Sequence, residues 1–98
     1  MPTHQLKTDP IPFTDLWEGR KTAEVRRDDR SYQENDGLIL RETTMTGTMA
    51  GILRVEPGYT GRRISATVTH VQRGYGLPDG LCVLSLHVHT KTTGGPTE

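Results

Sequence analysis

Hydrophobic positions along the chain are short, scattered and mostly two residues apart, which is the period of a strand with one face toward a core. The clearest case is YTGRRISATVTHVQ, where Ile64, Ala66 and Val68 alternate with Ser65, Thr67 and Thr69. LCVLSLHVH from Leu81 to His89 reads as a second, more apolar strand, and LILRE as a third with Leu38 and Leu40 inward. HQLK at His4–Lys7 is long enough to begin another. TAEVRR alternates too, with Ala23 and Val25 expected toward the core. Thr22, Glu24 and Arg26 would then share the opposite face, which is expected to stay out of the core because burial would strand two unlike charges.

One stretch breaks the period. In IPFTDLWEGRK, Phe13, Leu16 and Trp17 fall at i, i+3 and i+4, Pro12 suits a first turn and Gly19 a C-terminal cap, so a short helix is predicted. RDDRSYQEND and RGYGLPDG are polar, turn-rich connectors. TTMTGTMAGILRVEPG, from Thr43 to Gly58, has weak periodicity and reads as a long loop or hairpin excursion. The expected order is strand, helix, strand, strand, loop, strand, turn, strand. The expected class is α+β, mostly β: a small mixed barrel of five to six strands with one principal helix near the N-terminus. With one good crossover helix, a parallel βαβ sheet is not expected. Residues 1–91 form the single expected domain, and 92–98 read by composition as a disordered tail.

Composition narrows the chemistry. The 98 residues carry 12 Lys and Arg against 12 Asp and Glu, so the formal net charge is zero and any attraction for a polyanion must come from a local patch. Nine of the twelve cations are Arg, whose planar fork suits phosphate, carboxylate and base edges. The single Cys, Cys82, excludes an internal disulfide and a zinc–cysteine cluster, and its apolar setting predicts an inert buried thiol. The N-terminal MPTHQLKTDP lacks a signal-peptide core and no stretch approaches membrane-spanning length, so a cytoplasmic protein without a membrane partner is expected.

The densest charge lies in GRKTAEVRRDDR, Gly19 to Arg30, with five cations and three anions in twelve residues. It reads either as a solvated outer strand face or as the wall of a cleft beside the helix with Lys21 at its mouth. Several motifs in order bear on this choice: HQLK, PFTDLWEGRKTAEVRRDDR, ENDGLILRE, GYTGRRISATVTHV and GLPDGLCVLSL, from His4 to about Leu86. Through them the chain resembles the ASCH-like domains of the PUA-like superfamily, and within it a compact bacterial and phage subgroup of unassigned function. The signature Gly-x-Lys-x-x-Glu-x-Arg falls on Gly19, Lys21, Glu24 and Arg26. Asn35 stands where relatives carry Gly, a mild departure because Asn also tolerates left-handed backbone.

The resemblance implies a PUA-like pseudo-barrel with a cleft between the first helix and the sheet, associated with RNA or a nucleotide-like small molecule and needing no cofactor or metal. Lys21, Thr22, Glu24 and Arg26 would line it, with His4, Lys7, Arg30, Glu42 and Tyr59 as further ligand-binding candidates. The leading expectation is an RNA-binding module in which Glu24 accepts from an exocyclic amine, Arg26 and Arg30 fork onto phosphate or a base edge, and Tyr32, Tyr59 or Tyr75 stacks a base. The alternative is a small hydrolase, a ribonuclease or an acetylcytidine amidohydrolase. Lys21 and Glu24 would be its catalytic pair, acting with Thr22, Glu42 or a water, or His4 or His70 would supply acid–base chemistry. Two weaker readings are a divalent-ion site at His87 and His89 and a protein-binding surface at Met45, Met49, Ile52 and Leu53.

Overall fold

In the computed structural model, which describes residues 1–93, a five-stranded mixed sheet curls around a single core. The elements are β1 (Thr3–Thr8), α1 (Pro10–Trp17), β2 (Ala23–Arg27), β3 (Gly37–Thr43), α2 (Gly47–Leu53), β4 (Tyr59–Gln72) and β5 (Leu81–Thr92). The sheet order is β1-β3-β4-β5-β2, so the two N-terminal strands form its two edges. The fold is α+β and mostly β, with one principal helix near the N-terminus.

Alternation sets the inner face. Leu6, Leu38, Leu40, Ile64, Ala66, Val68, Cys82, Leu84 and Leu86 are buried together, and α1 adds Phe13 and Leu16 from above. Full burial of a side chain of that size contributes roughly 1.5–3 kcal/mol, so the two α1 residues anchor a helix too short to stand alone. Pro10 starts α1, where its missing N–H costs nothing, and Gly19 at φ +81° ends it. Irregular registers between Ser65 and Ala66 and between Val68 and His70 bend β4 against β5, and such bulges increase local twist.

Four expectations change. The Thr43–Gly58 segment is not all loop: it contains α2, whose N-cap Thr46 accepts from the Met49 N–H at 3.1 Å and whose C-cap Arg54 adopts a left-handed backbone. One strand pair is parallel, β1 with β3, because an edge pair needs a single crossover and α1 with β2 supplies it. Thr92 belongs to β5 rather than to a tail, paired with Arg63 of β4, while residues 94–98 lie outside the described residues.

The fourth change concerns β2. Val25 is 57% exposed, whereas Glu24 is buried. Opposed residues of an antiparallel pair share a face, and Glu24 opposes Leu84 while Arg26 opposes Cys82, both core residues. The register therefore turns the charged side inward, and Val25 meets Val83 on the outside. Burial is tolerable because each charge has a partner, the condition that the apolar pattern alone left out.

Candidate functional site

The turn after α1 aims Lys21 back over β2: Gly19 takes a positive φ, and the Lys21 N–H returns to the Asp15 carbonyl at 3.1 Å. From there the Lys21 Nζ reaches Glu24 Oε1 at 2.5 Å. The other carboxylate oxygen of Glu24 lies 3.1 Å from Arg26 Nη2. The three signature side chains thus converge on one carboxylate whose side chain is only 5% exposed.

Arg26 also spans the opening between the two sheet edges. Its Nη1 donates to the Lys7 carbonyl and its Nη2 to Thr8 Oγ1, both at 2.9 Å. Arg30 makes a longer contact of the same kind, 3.4 Å to the Gln5 carbonyl. No backbone ladder joins β1 to β2; side chains of β2 and the following loop close the seam. Among the buried side-chain nitrogen and oxygen atoms of the described residues, Arg26 Nε is the one without a hydrogen-bond partner. Leaving such a donor unmade costs free energy that an incoming acceptor would recover.

Two cavities flank this seam and share Lys7 and Arg26. The smaller, about 260 Å³, is lined by Lys7, Asp9, Pro12, Lys21, Glu24, Val25 and Arg26, so it lies between β2 and the start of α1. The larger, about 410 Å³, is lined by Gln5, Leu6, Lys7, Arg26, Arg27, Asp29, Arg30, Tyr32, Arg41 and Tyr59. Five cations face one anion there, in a chain whose net charge is zero. Lys7 stands at the rim of both, ion-paired to Glu56; this hydrogen bond holds the Lys7 ammonium above its ordinary pKa and keeps it charged.

Other expected site residues are employed elsewhere. His4 is held 2.9 Å from Asp36 and edge-on to the Tyr32 ring, and lines neither cavity. Burial alone would push the Asp36 carboxyl up, but hydrogen bonds from His4 and the Gln33 N–H outweigh it and bring it below its ordinary value. Glu42 is clamped by both ends of Arg62, each at 2.8 Å, with Thr60 adding 2.7 Å. Arg62 in turn lies over Phe13 and Trp17, so this pair fastens α1 to the sheet. Thr22 is exposed, lines neither cavity, and its carbonyl continues the β2–β5 pairing through the Leu86 N–H. Tyr32 is core rather than a loop platform, and burial pushes its hydroxyl up. His70 is exposed on β4. Burial likewise raises the Cys82 thiol. Among the described residues no third metal-ligating side chain joins His87 and His89.

Arg41 and Asp9 escaped the sequence reading. Arg41 becomes visible only once β1 and β3 are known to run parallel, because that register sets it beside Lys7.

Residues 3–86 match the family described as "Domain of unknown function (DUF3850)". The chain belongs to this family. It is also similar to a protein of Escherichia phage P2, described as "Uncharacterized 12.9 kDa protein in GpA 3'region". The two are 35% identical over 68 residues, which is 69% of this chain and 52% of the phage protein. The chain therefore spans about half the length of that relative. Among the described residues no helix is long and apolar enough to cross a membrane.

Proposed function

We propose that this member of the family is an ASCH-like domain of the PUA-like superfamily that binds RNA at the seam between β1 and β2. The observation that carries the reading is the larger cavity: Lys7, Arg26, Arg27, Arg30 and Arg41 gather around one hollow on a protein with no net charge. Charge segregated in this way attracts a polyanion locally, where bulk charge gives no pull. The adjoining cavity supplies what a base edge needs, a carboxylate acceptor at Glu24 and donors from Lys21 and Arg26. Arg26 is common to both.

The direct test uses exposed cations that hold no ion pair among those shown. Arg27→Glu and Arg30→Glu keep the Arg26 contacts, and Arg30 gives up only its long 3.4 Å bond to the Gln5 carbonyl, so their folding is expected to match wild type. Fluorescence polarisation with a short single-stranded RNA should show affinity lost in both. The slope of log affinity against log salt should fall by about one for each phosphate contact removed. Equal affinity and slope in wild type and both variants would refute the proposal.

A hydrolytic reading draws on the short Lys21–Glu24 contact inside the smaller cavity. With Thr22 outside it, the nucleophile would be a water. Glu24 would take its proton as the water oxygen bonds to the acetyl carbon of an acetylated cytidine, and Lys21 would hold the oxyanion. Glu24 would then return the proton to the exocyclic nitrogen as the C–N bond breaks, leaving acetate and cytidine. Release of acetate by wild type and its loss in Lys21→Ala would favour this reading over simple binding.

A further inference from the structure

The far wall of the larger cavity has a composition that phosphate binding alone does not require. Alternation places Lys7, Arg41 and Arg63 on the face of the sheet opposite the core; of these Lys7 and Arg41 line the cavity. The registers set them in one rung: Lys7 opposes Arg41, and Arg41 opposes Arg63. The middle cation of the rung is stacked. The Arg41 guanidinium carbon lies 3.6 Å from the centroid of the Tyr59 ring. Tyr59 opens β4, is 37% exposed and lies outside the core cluster, so with one ring face covered by Arg41 the stacked pair together lines the cavity.

A planar apolar surface topped by a planar cation, set among phosphate-binding forks, suits one chemical class: a group with a π face next to a negative charge. We infer that Arg41 and Tyr59 form a stacking platform for an unpaired nucleobase, and that the RNA ligand is therefore single-stranded at this position. This rests on the RNA-binding reading and narrows it. A base within a duplex is already stacked on both faces and has no face to offer the platform, whereas every unpaired base has one. The phosphate next to that base would fall to Arg30 and Lys7, which line the same cavity. Arg41 is suited to the role because the guanidinium stacks on rings from either side, which an ammonium does not.

The experiment compares three ligands by fluorescence polarisation: an oligouridylate, an abasic strand of equal length, and the duplex of the oligouridylate with oligoadenylate. Wild type is expected to bind the oligouridylate at least about fivefold more tightly than the abasic strand, in line with one stacked base. Tyr59→Leu should abolish that difference while leaving abasic binding unchanged, and Tyr59→Phe should preserve it. Arg41→Lys, which keeps the charge, should lose the base-dependent part and retain the salt slope. Thermal melting of each variant shows whether it is folded, and Tyr59→Phe with Arg41→Lys keeps the test decisive if Tyr59→Leu is not. Equal binding of the base-bearing and abasic strands by wild type, or equal weakening of both by Arg41→Lys, would overturn the platform while leaving an RNA-binding groove. Duplex bound as tightly as single strand would overturn it likewise. Failure of wild type to bind any of the three would overturn both readings together.

Discussion

Glu42 and Glu24 are both buried carboxylates on strands, yet they do different things. Glu42 is saturated by Arg62 and Thr60, and its contribution is to stability. The Arg62 hydrogen bonds, against the opposing effect of burial, hold its carboxyl below the ordinary 4.5. The folded state thus takes up this proton less readily than the unfolded chain. The stability it contributes is complete above about pH 4.5 and is lost as pH falls through the lower folded value. Glu42→Gln should cost about 1–3 kcal/mol at neutral pH in urea denaturation, and the gap to wild type should close in acid. Glu24, by contrast, sits between two cations beside a hollow, where its partners are also the groups a ligand would meet. Here the residue scale inverts the plain reading of TAEVRR. Val25→Lys should change stability by no more than about 0.5 kcal/mol, and Glu24→Ala should cost on the order of 3 kcal/mol by leaving Arg26 short of its counter-charge. The reverse order in thermal melts would show that β2 presents its other face.

At the scale of elements, what could be read from sequence was what alternation or capping chemistry marks. α1 follows from Pro10, Pro12, Phe13, Leu16 and Gly19; β3, β4 and β5 follow from Leu38, Leu40, Ile64, Ala66, Val68, Cys82 and Leu84. α2 was hidden for a physical reason. It buries only Ala50, its apolar Met49, Ile52 and Leu53 are exposed rather than packed on the core, and two glycines weaken its seven residues, so its main N-terminal signal is the single hydroxyl of Thr46. A helix held by so little should open independently of the sheet. Thr46→Ala removes a cap worth about 1 kcal/mol, so hydrogen exchange at the Ala50 and Val55 amides should quicken about fivefold. Exchange at Leu40 and Ile64 should stay as in wild type, and equal acceleration in both places would show that α2 is integral to the core. Met49, Ile52 and Leu53 lie exposed on this element, while Met45 before it is half-buried.

Across the whole molecule, the Lys21, Glu24 and Arg26 constellation was legible because three residues of one segment carry it. The groove beside it was legible only in part: Lys7, Arg26, Arg30 and Tyr59 were candidates, but Arg41 and the gathering of all five on one wall were not. It joins Lys7, Arg41 and Tyr59, which come from three strands, to Arg26 and Arg30, which follow from a fourth. Only the order β1-β3-β4-β5-β2, with its one parallel pair, brings them to a common wall. Zero net charge hid the same fact, since a sum cannot report where the charges stand. Edge strands β1 and β2 face one another without an amide–carbonyl ladder, laced instead by the Arg26 guanidinium reaching the Lys7 carbonyl and Thr8. Such a lacing can be undone without tearing any strand from its neighbour. A wedge driven between the edges would unhook three side-chain bonds, two from Arg26 and a longer one from Arg30, and leave all four interstrand pairings standing, so this small cylinder has a built-in place to gape.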